Sequence, residues 1–240
     1  MSRGWNRQAS FFYHGTNNQL RHPAGGEERD GVGIRRESRD TITKGNNRER
    51  KRNSKEDKMR ANPNIVVTGT PGVGKTTHCE TLAERTSLRH VSVNQIVKDK
   101  GCHEGWDEEY QSWIVDEDKL LDALEDEVAA GGCIIDWHAC DLFPERWVDL
   151  VVVLRVDTTT LYDRLKSRKY PEKKLQENLD SEIMDVLLQE ARDSYDENIV
   201  VELTSNTINE MDSNVDRIEA WIKQWKKDNP PDDNSGDGTI

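Results

Sequence analysis

No stretch of this chain approaches the roughly 18 consecutive apolar residues that a bilayer-spanning helix needs, so no segment is expected to cross a membrane. Nor does an apolar h-region open the sequence, which argues against secretion, and acids scattered through the first residues argue against a mitochondrial transit peptide. The four cysteines, Cys79, Cys102, Cys133 and Cys140, include no C-x-x-C pair and no regular framework. That excludes a disulfide scaffold, makes a zinc site unexpected, and suits reduced thiols in the nucleus or cytosol. Aliphatic residues are scarce in residues 1–58, which carry 14 Lys/Arg against 8 Asp/Glu and show no periodic apolar face. Such a segment buries too little surface to offset the entropy of ordering and is expected to be a disordered extension. Its run Arg48-Glu49-Arg50-Lys51-Arg52 reads either as a solvated charge run or as a nuclear-localisation or nucleic-acid patch.

From Met59 onward the balance reverses, with 20 basic and 38 acidic residues, a net of −18. A folded part this acidic disfavours a broad nucleic-acid groove and would steer a basic protein toward itself. The folded domain is therefore expected over 59–228, followed by an acidic flexible tail over 229–240.

Ile65-Val66-Val67-Thr68 is a short β-branched run that feeds Gly69-Thr70-Pro71-Gly72-Val73-Gly74-Lys75-Thr76, a complete G-x-x-x-x-G-K-T loop, with a helix expected from His78 to Arg85. Glycines let the backbone close around phosphates, and amides from Gly72 through Val73, Gly74, Lys75, Thr76 and Thr77 converge on them at a helix N-terminus. Lys75 supplies a positive charge for the β and γ oxygens, and the Thr76 hydroxyl is placed to ligate Mg²⁺. The ligand implied is ATP with Mg²⁺.

Beyond the loop, a strand is expected at His90–Val93, then a polar segment, Asn94 to Ile114, without a core-building pattern. A helix opens at Asp116-Glu117-Asp118, carries Leu120, Leu121, Leu124 and Val128 on one stripe, and ends at Gly131-Gly132. Cys133-Ile134-Ile135 reads as a buried strand delivering Asp136 at its carboxyl end, where a carboxylate for Mg²⁺ or its water shell belongs. Two residues on, His138 either orients water or phosphate or is a structural histidine. Cys140 and Asp141 read as packing and turn residues. Leu150 to Leu154 is a strand without alternation, as in a parallel sheet covered on both faces. Asp157 to Lys166 is a helix, Ser167 to Glu177 a charged excursion, about 181–195 a helix, Ile199–Leu203 a strand, and about 208–227 a last helix. Alternating strands and helices give a doubly wound α/β domain with its ligand at the carboxyl ends of the strands. Arg164 and Arg168 fall on adjacent turns of one helix face and are candidates to neutralise a transferring phosphoryl group, the alternative being surface ion pairs.

Thr68 to Thr77, Trp106-Asp-Glu-Glu-Tyr110, Asp136-Trp-His-Ala-Cys-Asp-Leu-Phe-Pro-Glu-Arg-Trp147 and Glu172-Lys-Lys-Leu175 together resemble the adenylate kinase isoenzyme 6 family, also called coilin-interacting nuclear ATPases. The resemblance runs from about residue 62 to 228 and implies a P-loop nucleoside-monophosphate-kinase fold, with a monophosphate-binding insertion at about 92–115 and a small lid at about 167–177. It further implies transfer of the γ-phosphoryl of ATP to AMP, an ATPase activity, and a role in small-subunit ribosomal RNA maturation. The partners implied are a small-subunit ribosomal protein and, indirectly, pre-ribosomal RNA, for a monomer of nucleus and cytoplasm. Carried over by position, Gly72, Gly74, Lys75, Thr76 and Thr77 hold ATP, Arg168 lies on the nucleotide, and Asp136 and His138 stand at the Mg²⁺ end. Three positions depart from the family pattern. Ala139 replaces a glycine, where a Cβ is expected to tighten the turn beside His138. Gln95 replaces an acid, and Lys98 stands where an arginine is usual, so a bidentate clamp on the AMP phosphate becomes a point contact.

Overall fold

The computed structural model describes residues 60–109 and 112–230. The expectations for residues 1–58 and for all but the first residues of the tail lie outside them, as does Tyr110.

Five strands form one parallel sheet: β1 (Ile65–Thr68), β2 (Arg89–Ser92), β5 (Cys133–Asp136), β6 (Leu150–Arg155) and β7 (Val200–Thr204), in the order β2-β5-β1-β6-β7. β3 (His103–Asp107) and β4 (Ser112–Val115) make a separate antiparallel hairpin. The continuous apolar runs of β1, β5 and β6 have a direct cause. Along each strand successive side chains enter opposite cores: Val66, Ile135, Val151 and Val153 face one, while Ile65, Val67, Ile134, Val152 and Leu154 face the other.

Helices α1 (Lys75–Thr86), α4 (Thr158–Ser167), α5 (Glu172–Ile183) and α7 (Ile208–Asp228) contribute to the second core. Helices α2 (Val93–Asp99), α3 (Glu117–Ala129) and α6 (Val186–Ser194) contribute to the first. Local chemistry fixes several ends. Asp116 caps α3 by accepting from the Lys119 amide at 3.1 Å, and Leu120, Leu124 and Val128, four residues apart, are its fully buried face. Truncating Leu124 to alanine would cost about 2–5 kcal/mol. The chain leaves α3 through Gly131, at φ 79°, where a Cβ would stand 2.7 Å from the Asn62 carbonyl oxygen, so a side chain there is both strained and obstructed. A reciprocal pair, Thr207 and Glu210, caps α7.

Three expectations are corrected. The segment after β2 is not devoid of core residues: α2 buries Val93 and Val97, and Cys102 joins them in the first core. The charged stretch after Arg168 is helical from Glu172, and Leu175 and Leu179 bury one face of α5. The single helix expected over about 181–195 is interrupted at Asp185, which adopts φ 56° between α5 and α6. Asp185 is held there by Arg155 Nη2 at 2.5 Å.

Candidate active site

The first turn of α1 is the floor of the site. Gly74, at φ 102°, is the helix N-cap, so α1 begins at Lys75 rather than at His78 and points the loop amides along its axis. Val73 is fully buried and contributes only its backbone: its amide donates to Thr70 O at 3.2 Å. Gly72 packs so closely on α4 that a Cβ would come within 3.0 Å of Leu161 and 3.1 Å of Leu165.

Lys75 Nζ donates to the carbonyls of Gly69 at 2.6 Å and Thr70 at 3.2 Å, which folds it back over its own loop. Burial lowers its pKa to about 8, the neighbouring Asp136 partly opposing the shift and Arg168 reinforcing it. An anion at the loop would offer that ammonium a stronger, charge-assisted partner than a carbonyl.

β5 ends beside this turn, and Asp136, almost fully buried, accepts from Thr76 Oγ1 at 2.6 Å through Oδ2. These are hard oxygen donors of the type Mg²⁺ prefers, so the pair could hold that ion. His138 is buried, its ring 4.2 Å from that of Trp137, and its carbonyl accepts from Thr68 Oγ1 at 2.7 Å. Burial, then Lys75 and Lys174, push its pKa down to about 3, so the imidazole is neutral at physiological pH. Ala139 adopts φ −98° and ψ 80°, just ahead of the short 3₁₀ turn Cys140–Leu142.

The two arginines part company. Arg168 lines the same cavity as Lys75, Thr76, Asp136 and His138. Arg164 instead donates to four backbone carbonyls: Gly72 at 3.3 Å, Val73 at 3.4 Å, Ser205 at 2.9 Å and Asn206 at 2.8 Å. It braces the phosphate loop against the end of β7, and its guanidinium is committed to that task. A second, shallower hollow beside it is lined by Thr77, His78, Ser205, Ile208 and Met211.

The main cavity, of about 310 Å³, continues from the phosphate loop onto the segment after β2: Asn94, Val97, Lys98, Trp106, Trp113 and Val115 line its far wall. Gln95 turns away and bonds Asp99 at 2.7 Å on the exposed side of α2. Tyr170, Lys174 and Asn178 close a third side. Lys174 stands over the Tyr170 ring at 4.9 Å, a placement that a basic residue within a charged stretch does not announce. Glu182 is the functional neighbour that sequence reasoning passes over: buried on α5, it accepts from Thr70 Oγ1, from Arg155 Nε at 2.7 Å and from the Val156 amide at 3.1 Å.

The chain is similar to known proteins. A family model described as AAA domain matches residues 65–185. An adenylate kinase isoenzyme 6 homolog of Schizosaccharomyces pombe is 53% identical over 165 residues, covering 69% of this chain and 94% of that protein. The homologs of Candida albicans and Saccharomyces cerevisiae are 51% and 52% identical, covering 71% of this chain and 73% and 87% of their own lengths. The chain belongs to the adenylate kinase isoenzyme 6 family. A shikimate kinase from Acinetobacter baumannii, solved with shikimate, aligns with a TM-score of 0.50 at 19% identity over 72% of this chain and 98% of that one, a likeness of fold. Within the isoenzyme 6 family frame, the P-loop nucleoside-monophosphate-kinase fold places the cavity at the carboxyl ends of β1, β2 and β5, where an open α/β sheet holds its ligand.

Proposed function

We propose that this chain moves the γ-phosphoryl group of ATP to AMP and also has an ATPase activity. The observation that carries the reading is the continuity of one cavity from the Lys75 and Thr76 end to the Lys98, Trp106 and Trp113 wall, which gives a donor and an acceptor facing positions. The homologs' name, adenylate kinase isoenzyme 6, supports AMP as the acceptor.

An oxygen of the AMP phosphate attacks the γ-phosphorus, the bond to the β-bridging oxygen breaks, and two ADP molecules result. Positioning and electrostatics supply the acceleration. The loop amides and Lys75 hold the β and γ oxygens, while Arg168 and Lys174 add charge along the sides of the cavity. Mg²⁺, when bound, neutralises charge developing between the phosphates. Asp136 and Thr76 would hold it, and neutral His138 would donate or accept one hydrogen bond without adding charge to the site. Lys98 contacts the acceptor phosphate as a single charge, which weakens AMP binding relative to an arginine clamp. Purified protein given ATP and Mg²⁺, with and without each nucleoside monophosphate, tests the reading. ADP formation that rises severalfold with AMP supports it; a rate indifferent to every monophosphate leaves an ATPase.

A second reading rests on charge. The net −18 after residue 59 favours a basic partner, and a small-subunit ribosomal protein, with pre-ribosomal RNA behind it, is the partner proposed for a monomer acting in nucleus and cytoplasm. Affinity for such a protein should fall with salt and differ between ATP and ADP states, since nucleotide alters affinity only by binding two forms unequally. Calorimetry at two salt concentrations decides it.

A further inference from the structure

Behind the Mg²⁺ end of the cavity, Asp136 adjoins two side chains, His90 and Cys79, to which phosphoryl transfer assigns no role. Ile134 and Asp136 sit two residues apart on β5 and share a face; His90 pairs with Ile134 across the β2–β5 ladder and projects on that same face. Helix α1 covers it and contributes Cys79, fully buried in the core that also holds Ile134. One ligand atom from each of Cys79, His90 and Asp136 lies within 4.8 Å of the other two. His90 Nε2 is shielded from solvent and makes no hydrogen bond among the described residues; Asp136 Oδ2 is 3.6 Å away, too far for one. A shielded ring nitrogen is costly unless something satisfies it.

We propose that Cys79, His90 and Asp136 form a binding site for a divalent cation of the zinc class. The donor set is one sulfur, one imidazole nitrogen and one carboxylate oxygen, the three ligand types zinc accepts, and three protein ligands leave a fourth position for water. Mg²⁺ has no use for the thiol, so the site differs in chemistry from the Thr76 and Asp136 pair although it shares one carboxylate. Its spacing is invisible to a search for neighbouring cysteines, because each ligand comes from a different element, α1, β2 and β5. Entry is through Asp136, which lines the cavity. Coordination converts the Cys79 thiol to thiolate and releases its proton to water.

One consequence rests on the kinase reading: a cation held by Asp136 Oδ2 takes the oxygen that Thr76 now shares, so zinc would inhibit phosphoryl transfer and excess Mg²⁺ would relieve the inhibition only in part. The binding itself is independent of that reading. The test uses the full chain, freed of metal, in equilibrium dialysis against Zn²⁺, with Co²⁺ as a spectroscopic probe. The expected result is one metal per chain and a thiolate-to-cobalt charge-transfer band. Cys79→Ser should abolish the band, His90→Gln should weaken zinc binding by at least about tenfold, and Cys102→Ser should change neither. Far-ultraviolet circular dichroism checks that each variant is folded, and His90→Gln, at a partly exposed position, decides the matter if Cys79→Ser does not fold. Zinc held equally well by wild type and both variants, a cobalt complex without the thiolate band, or no stoichiometric binding would overturn the site.

Discussion

Thr70, in the middle of the phosphate loop, donates its hydroxyl to Glu182, 112 residues later on α5. The same carboxylate accepts from Arg155 at the end of β6, so one buried acid joins the loop, the sheet and α5. Replacing Glu182 by glutamine keeps the shape but removes the charge that holds Arg155. We expect a loss of about 1.5–3 kcal/mol, the range for a hydrogen bond to a charged group, together with a severalfold rise in the KM for ATP. Urea unfolding and initial rates read the two effects, and an unchanged KM would show that Thr70 holds the loop without Glu182.

Lys75→Ala should reduce phosphoryl transfer by at least about 10²–10³-fold while leaving the far-ultraviolet spectrum intact. Among the described residues the ammonium bonds two carbonyls of its own loop, so its removal takes charge from the ligand and little from the core. An unfolded variant would contradict this.

ATP binding should also take up a proton. With its pKa lowered to about 8 by burial, Lys75 is partly neutral at pH 8 in the free protein, and the phosphates favour its charged form. Uptake is expected to vanish toward pH 6, where the lysine is already protonated, to be well developed at pH 8, and to be largest at a pH between the pKa of the free protein and the higher pKa of the complex. Calorimetry in buffers of different ionisation enthalpy measures it, and Lys75→Arg, charged throughout, should show none.

His138 makes a prediction of opposite range. Its pKa is about 3 when folded against 6.5 in the unfolded chain, so the unfolded state binds the proton first. The stability associated with neutral His138 is fully present above pH 6.5 and is lost as pH falls toward 3. Relative to wild type, His138→Asn should therefore have a flatter urea midpoint between pH 6.5 and 4.5, and parallel curves would rule the histidine out as a source of acid sensitivity.

Arg60 is the first described residue. Arg60 pairs with Asp149 at 2.9 Å, both nearly inaccessible to solvent. A chain beginning at Met59 should keep kcat within about tenfold, or about 1.4 kcal/mol of barrier. One beginning at Asn62 leaves the Asp149 carboxylate without that guanidinium and should lose about 3–5 kcal/mol of stability, seen as a lowered Tm.

Much of this architecture is legible in the sequence because burial on both faces leaves little latitude. β1, β5 and β6 read as apolar runs, and Asp116 and Asp157 announce the helices they cap. Helix α5 is hard to read for the converse reason: its first turn, Glu172-Lys173-Lys174, looks like a solvated loop, and only Leu175, Asn178, Leu179 and Glu182 turn inward. Within the site, Lys75, Thr76 and Asp136 belong to patterns whose chemistry fixes their neighbours. Arg164 carries the right charge on the right helix but spends it on carbonyls, a distinction that only geometry draws. Glu182 has no local pattern, since its partners Thr70 and Arg155 lie far away in the chain.

Beneath the sheet, at the ends of the strands remote from the cavity, Asn64 ties four segments together. Its side-chain amide donates to Val128 O at 2.8 Å and Trp147 O at 2.9 Å, its side-chain oxygen accepts from the Cys133 amide at 3.0 Å, and its own amide donates to Asp149 at 2.9 Å. This knot works as the spine of a book whose pages open at the nucleotide side. In hydrogen exchange, the amides of Asn64 and Cys133 should stay protected through rounds of catalysis, while protection gained on binding ATP should appear at the opposite margin, in the phosphate loop and along α2.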